Sequence, residues 1–221
     1  MDVKRKTVSR LIGIGDIHGC YDLLRDLVEH SIIFDPGEDK LVFLGDYLDR
    51  GAKSKNVVDY VSGLKNIYPG QIVLLKGNHE DLALRAMQCT GDEDDCTNAR
   101  MLWYLNGGQS TVNSYRGIEK ARQMLIPFIV SLELYHETEE HIFVHAGIPH
   151  GKTPETASSD EILWDRSYSY NGRKTLVVGH SPKSEIERLR NIICLDTGAF
   201  MTGKLSAYDV LNEKAYQSTA E

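Results

Sequence analysis

Short apolar runs that stop in polar, glycine-bearing turns recur along the chain. Arg10-Leu11-Ile12-Gly13-Ile14 runs into Gly15-Asp16-Ile17-His18-Gly19, and Leu41-Val42-Phe43-Leu44 into Gly45-Asp46-Tyr47-Leu48-Asp49-Arg50-Gly51. Gln71-Ile72-Val73-Leu74-Leu75 leads in the same way to Gly77-Asn78-His79-Glu80. Runs this short and this apolar, closed by glycine, read as buried strands. Between them Leu23, Leu24, Leu27 and Val28 fall at helical spacing, which predicts a helix over 21–30, and an amphipathic helix is predicted over 56–64. Strand, helix, strand, helix, strand predicts a parallel sheet with right-handed crossovers, an α/β arrangement.

Residues 81–87 and 99–106 read as helical, so about 84–127 forms a mainly helical insertion, a cap beside the active edge of the sheet. Strands are then predicted at 128–135, 141–144, 175–178, 192–195 and 205–211. Two of these end in turns of the same polar kind, His145-Ala146-Gly147 and Gly179-His180-Ser181-Pro182. With no internal repeat and no long linker, 1–221 reads as a single domain.

Composition narrows the function classes. A hydrophobic fraction of 41% and a charged fraction of 26% describe an ordinary globular protein. The formal net charge of −7 argues against a general nucleic-acid binder, which needs clustered Lys and Arg. No apolar run of about 18 residues predicts a membrane span, and the N-terminus, Met1 to Thr7, carries no signal-peptide pattern, so the cytoplasm is the default location. The four cysteines lack C-x-x-C spacing, which excludes a thiolate zinc site, and in a reducing compartment Cys89 and Cys96 are expected as free thiols. They flank an acidic loop at 91–95, read as a solvated face.

Five strand ends thus carry Asp16 with His18, Asp46 with Asp49, Asn78 with His79, His145, and His180. In an open α/β sheet the ligand site lies outside the carboxyl ends of the strands, so these side chains are expected to converge. The other four of the eight histidines, His30, His136, His141 and His150, have no such setting and read as surface or structural residues. A mixture of carboxylate, imidazole and amide oxygen suits Mn, Fe or Zn. Within the 45–51 turn either Asp46 or Asp49 offers hard oxygen to a metal, while Arg50 offers a planar fork matched to phosphate. Two metals roughly 3.5–4 Å apart, bridged by a carboxylate, would lower the pKa of a water between them and let the resulting hydroxide attack phosphorus. A protonated His79, beside Asp49, is placed to protonate the leaving alkoxide.

The motifs at 15–19, 45–51 and 77–80, followed in order by His-Ala-Gly at 145–147 and Gly-His at 179–180, resemble those of the phosphoprotein phosphatase branch of the calcineurin-like metallophosphoesterases. Trp164-Asp165-Arg166 and Leu195-Asp196-Thr197-Gly198-Ala199 are most similar to the small bacterial and phage-type serine/threonine phosphatases. The resemblance implies a central β-sandwich flanked by helices, and two divalent metals, usually Mn. Asp16, His18 and Asp46 would bind the first metal, and Asp46, Asn78, His145 and His180 the second. Arg50, Asn78 and Arg166 would hold the substrate phosphate, and His79 would be the general acid paired with Asp49. It also implies a phosphoprotein or phosphopeptide substrate, with neither nucleic acid nor membrane as partner.

A symmetrical dinucleoside tetraphosphate hydrolase shares these motifs, and Trp103, Tyr104, Tyr115 and Arg116 in the cap are candidates for its base platform. A small-molecule phosphodiesterase is a further alternative. Gly13 to Gly19 lacks the final spacing of a dinucleotide fingerprint, Gly151-Lys152-Thr153 lacks the first glycine of a phosphate loop, and no cysteine has the C-x5-R spacing of a thiol phosphatase.

Overall fold

The computed structural model describes residues 8–89 and 93–220. Two five-stranded sheets lie face to face. The first has the order β10-β9-β1-β2-β3, built from β1 (Arg10–Ile14), β2 (Asp39–Phe43), β3 (Ile72–Leu74), β9 (Lys204–Asp209) and β10 (Lys214–Thr219). The second has the order β4-β5-β6-β8-β7, built from β4 (Tyr135–Glu137), β5 (His141–Val144), β6 (Thr175–Val178), β7 (Glu187–Leu189) and β8 (Ile192–Cys194). In the first sheet β1, β2 and β3 run parallel, with β9 and β10 joined antiparallel on the β1 side; in the second β5, β6 and β8 run parallel, with β4 and β7 antiparallel at its two edges. The single parallel sheet expected from the strand–helix alternation is therefore corrected to two mixed sheets. β9 and β10 return from the far end of the chain to extend the first sheet antiparallel beside β1, a long-range pairing that local periodicity does not encode.

The period of two explains the layering. In β1 and β2, Leu11 and Val42 point inward and meet Phe143, Val177 and Ile193 of the second sheet. Ile12, Ile14, Leu41 and Phe43 point outward into the helices. Residues of β5, β6 and β8 alternate likewise, with Ile142, Val144, Leu176 and Val178 packing outside against Ile162 of α7 (Ser159–Trp164). Both faces of the central strands are covered, which is why they read as unbroken apolar runs.

The helical layer on the first sheet comprises α1 (Tyr21–Asp26), which continues as a π-helical turn over Leu27–Ile32, α2 (Ser54–Ile67), α3 (Asn78–Gln88), α4 (Glu93–Leu105), α5 (Gly108–Ser114) and α6 (Ile118–Val130). The strand expected at 128–135 instead begins as helix, since 128–130 are the last residues of α6. Ala121, Leu125, Phe128 and Ile129 are the buried residues of α6, a helical spacing, and only Tyr135 of that stretch is in a strand. α7 escaped the sequence reading although Ser158 caps it, accepting from the Glu161 amide while Glu161 accepts from the Ser158 amide.

The expectation of free thiols fails as well: Cys89 and Cys96 form a disulfide that ties the end of α3 to the first turns of α4. Spacing alone allowed this pairing, and the argument against it rested on compartment, which the fold does not encode. Asp94 and Asp95 lie within α4 rather than in a loop, whereas 91 and 92, like Met1 to Thr7, lie outside the described residues. Among the described residues no helix is long and apolar enough to cross a membrane.

Candidate metal centre and phosphate site

The polar turns at the ends of β1, β2, β3, β5 and β6 meet along one edge of the sandwich. His18, Asp46, Arg50, Asn78, His79, Asn106, Trp164, Arg166 and His180 line a cavity of about 40 Å³ there. Of the ten residues expected in the site, Arg50 and Arg166 are exposed and the other eight are buried. None of His30, His136, His141 and His150 lines the cavity.

The backbone of these turns is unusual. His18, Asp46, Asp49, Arg50 and His180 all have positive φ, between 46° and 69°. Non-glycine residues persist in the left-handed region only where surrounding contacts over-determine them. Glu80 supplies four of those contacts. Its carboxyl group is fully buried and accepts from the amides of Asp46 (2.8 Å), Tyr47 (2.9 Å), Leu48 (3.2 Å) and Gly77 (2.9 Å). Burial, chiefly, and the Asp46 charge push the Glu80 carboxyl up to about 8, and its amide partners pull the other way. All four partners are donors, which suits the carboxylate form. Gly77 is required where it stands, because a Cβ there would lie 2.1 Å from Asp46 Oδ1.

Asp46 occupies the middle of the site. His18 Nδ1 donates to the Leu48 carbonyl at 2.8 Å and His145 Nδ1 to the Leu44 carbonyl at 2.9 Å, so each neutral ring has a bare Nε2. Those lone pairs face Asp46, with His18 Nε2 3.4 Å from Oδ2 and His145 Nε2 3.5 Å from Oδ1. Burial holds the imidazoles neutral, driving His18 and His180 down to about 3 and lowering His145 too. A bare imidazole nitrogen aimed at a carboxylate oxygen is repulsive unless a cation lies between them, and it occurs on both sides of Asp46. This donor set fits a pair of divalent metals. Among the described residues two groupings of side chains have ligand atoms close enough to share an ion: His18, Asp46 and His79, and Asp46, His145 and His180.

Asp16 accepts the His180 amide at 3.0 and 3.1 Å through its two oxygens. Burial, with the charges of Asp196 and Asp46, raises its carboxyl well above the usual range. Asp196, to which the sequence reading gave no role, is buried beside it, and burial pushes its carboxyl up to about 6. Like charges at this density favour a cation. Asn78 Oδ1 stands 2.8 Å from His145 Nε2 and 3.0 Å from His180 Nδ1, and Arg166 Nε donates to His180 Nε2 at 3.0 Å.

Asp49 lies outside both of these groupings. Its Oδ2 receives His79 Nδ1 at 2.8 Å, and its other donors are Trp103 Nε1 and the Thr111 hydroxyl. Burial raises the Asp49 carboxyl, and these hydrogen bonds draw it back. For His79 burial opposes protonation, but the Asp46 charge and the Asp49 hydrogen bond outweigh it and push the imidazole up. His79 Nε2 faces the cavity, 3.2 Å from Arg50 Nη2. The Phe200 ring lies against the Arg50 guanidinium, with 4.6 Å between guanidinium carbon and ring centroid. Neither Trp103 nor Tyr115 offers a surface for a base, since both are buried.

Glu80, Asp196, Asn106 and Thr111 have no assigned role from sequence, and Trp103 was read only as a candidate base platform, which its burial rules out. Glu80 lies inside the 77–80 motif and Asp196 follows an apolar run, so those two positions carried a signal; Asn106 and Thr111 carried none.

Comparison with known proteins agrees with this architecture. The family model described as calcineurin-like phosphoesterase matches residues 9–208. Serine/threonine-protein phosphatase 2 of Escherichia coli (strain K12) is 31% identical over 216 residues, covering 89% of this chain and 91% of its own. An asymmetrical bis(5'-nucleosyl)-tetraphosphatase of Bacillus cereus (strain B4264) is 28% identical, covering 87% of each. A solved structure provisionally assigned as a diadenosine tetraphosphatase superposes with a TM-score of 0.71 at 19% identity, over 97% of this chain and 95% of that one. Both the strand-end cluster and the match across nearly the whole chain place this protein among the calcineurin-like phosphoesterases, hydrolases that work with a dinuclear divalent metal centre.

Proposed function

We propose that this phosphoesterase is a protein phosphatase that hydrolyses phosphoserine and phosphothreonine monoesters, and phosphotyrosine as a secondary substrate, in the cytoplasm. The observation that carries the monoesterase reading is the buried Asp49–His79 pair, with Nε2 of the imidazole facing the cavity beside Arg50. In this reading Asp16, His18 and Asp46 hold one metal, and Asp46, Asn78, His145 and His180 hold the second. Manganese is the first choice, with iron or zinc as alternatives. When bound, the metals supply an activated water and neutralise charge on the phosphate.

The chain's own residues do the rest. Arg50 and Arg166 grip the equatorial phosphate oxygens, and the Asn78 amide touches the same group. His79 donates its Nε2 proton to the departing alkoxide, while Asp49 fixes the ring through Nδ1–H and favours the imidazolium. His79 Nε2 also lies 3.9 Å from Asp46 Oδ2; in this reading the charges that push the ring toward the imidazolium make it a proton donor, a form with no lone pair for a metal. Helices α4–α6 act as the cap of a single catalytic domain.

A protein substrate is supported by the ground beside the cavity. A groove of about 1000 Å³, lined by Tyr21, Asp22, Lys53, Phe200 and the 217–220 segment, approaches the site at Phe200, which touches His18 and Arg50. A second reading, dinucleoside tetraphosphate hydrolysis, is favoured by Tyr104, which lies in an apolar cleft with Met101 and Leu105 on α4 and stacks on Trp103. The deciding experiment compares the Mn-loaded protein on a phosphoserine or phosphothreonine peptide and on diadenosine tetraphosphate. A kcat/KM about tenfold or more in favour of the peptide is expected; the reverse ratio replaces the protein-phosphatase reading with the nucleotide one.

A further inference from the structure

The Asp49 carboxylate is held by three side-chain donors. Both oxygens lie within 3.1 Å of Trp103 Nε1, Oδ1 also accepts the Thr111 hydroxyl at 2.6 Å, and Oδ2 accepts His79 Nδ1 at 2.8 Å. The Thr111 oxygen in turn accepts the backbone amide of Asp49 at 2.8 Å, with Ser54 Oγ a second acceptor at 3.2 Å. One threonine hydroxyl therefore closes a ring on a single aspartate, bonding its amide and its carboxylate together. Asp49 and Arg50 are consecutive residues at φ 69° and 66°, a costly conformation that these contacts offset.

Trp103 and Thr111 come from outside the strand-end turns, on α4 and α5. The two helices are joined tightly enough to reach Asp49 together only because position 108 is glycine: a Cβ there would lie 2.6 Å from the Trp103 ring. The Gly107 carbonyl at the same joint accepts the Arg50 amide at 3.4 Å.

We propose that Trp103 and Thr111 are positioning residues for the proton-transfer step: they lock the Asp49 carboxylate in one orientation and, through it, aim His79 at the leaving oxygen. This rests on the general-acid reading of His79 given above. Neither side chain touches substrate. With either donor removed, the carboxylate gains freedom to rotate and the imidazole loses a fixed acceptor. The cost falls where the leaving group needs a proton.

The test compares an alkyl phosphate, whose leaving group is strongly basic, with p-nitrophenyl phosphate, whose leaving group is not. Trp103→Phe keeps an aromatic ring without the N–H, and Thr111→Val keeps the shape without the hydroxyl. Each is expected to lower kcat on the alkyl phosphate about tenfold, with a far smaller loss on the aryl one and KM within about twofold. Thr111→Ser, which retains the hydroxyl, should recover most of the alkyl phosphate activity. In a His79→Asn background Trp103→Phe should add almost no further loss, because the group it positions is gone.

Equal losses on both substrates, losses in KM alone, or additive losses in the double variant overturn the inference. If His79→Asn itself fails to discriminate between leaving groups, the general-acid reading falls first; if it discriminates and the two donor variants do not, only the positioning role falls. A readout without turnover comes from the metal-free protein. Asp49→Asn should move the indole N–H resonance of Trp103 and spare that of Trp164, the other tryptophan. An unmoved Trp103 resonance also overturns the proposal and needs no donor variant to fold.

Discussion

Glu80 shows how a carboxylate without a cation beside it can serve a metal site. Its four backbone donors come from the turns after β2 and β3, so a single side chain sets the left-handed bend at Asp46 and the entry into α3 together. Glu80→Gln would replace one acceptor by an NH2 group facing backbone N–H groups, leaving buried donors without partners. A loss of about 3 kcal/mol in unfolding free energy is expected, with a fall in activity as the turn relaxes. Chemical denaturation of the metal-free protein checks it, and a change under about 1 kcal/mol would mean that the turn holds itself. At this scale the sequence disclosed most of the site's members, because ligand-type residues at strand ends announce themselves. It did not disclose Glu80's three bonds to the 46–48 turn or the Trp103–Asp49 contact, whose partners lie 32–34 and 54 residues away and answer to no local pattern.

Among the elements, α3 and α4 form a hairpin with chemistry at one end and a covalent tie at the other. His79 stands in the first turn of α3 and Trp103 near the end of α4, while the Cys89–Cys96 bond closes the opposite end. A cross-link spanning 7 residues restricts only a short loop in the unfolded chain. Loop-closure entropy for that length gives about 2.5 kcal/mol. The Cys89→Ser/Cys96→Ser double variant is therefore expected to unfold at lower denaturant concentration, in a two-state comparison with the oxidised protein, while keeping its kcat. An unchanged midpoint would show that the tie stabilises nothing, and a large fall in kcat would show that it reaches the site. Elements were legible where one periodicity prevailed: β1 and β6 were anticipated to the residue. They were misread where composition and periodicity disagreed, as at Phe128, Ile129 and Val130, whose β-favouring side chains sit on a helix because Ala121 and Leu125 extend the apolar stripe backwards.

For the molecule as a whole, the two-sheet sandwich brings together charges that the chain alone tolerates badly. Asp16, Asp46 and Asp196 are all buried on one edge, and of the imidazoles around them His18, His145 and His180 are held neutral, which leaves His79 as the imidazole pushed toward protonation beside Asp46. The first sheet and its turns supply Asp16, His18, Asp46 and Asn78, and the second supplies His145 and His180. A metal pair held across this edge would bind the native state and not the unfolded chain, and so must stabilise the whole sandwich rather than a local loop. At a hundredfold excess over the dissociation constant the linkage is worth about 2.7 kcal/mol, or roughly 5–10 °C in Tm for a chain of this size. Calorimetry with and without Mn should show that rise, and chelation should reverse it. Asp46→Asn should abolish most of the shift, since Asp46 alone faces ligands from both sheets, whereas Asp49→Asn, which alters an equally buried carboxylate outside both groupings, should keep it. If both variants retained the full shift, the cation would be bound elsewhere. If both lost it, the two carboxylates would belong to one ligand set, and the division between metal centre and proton-transfer pair would have to be redrawn.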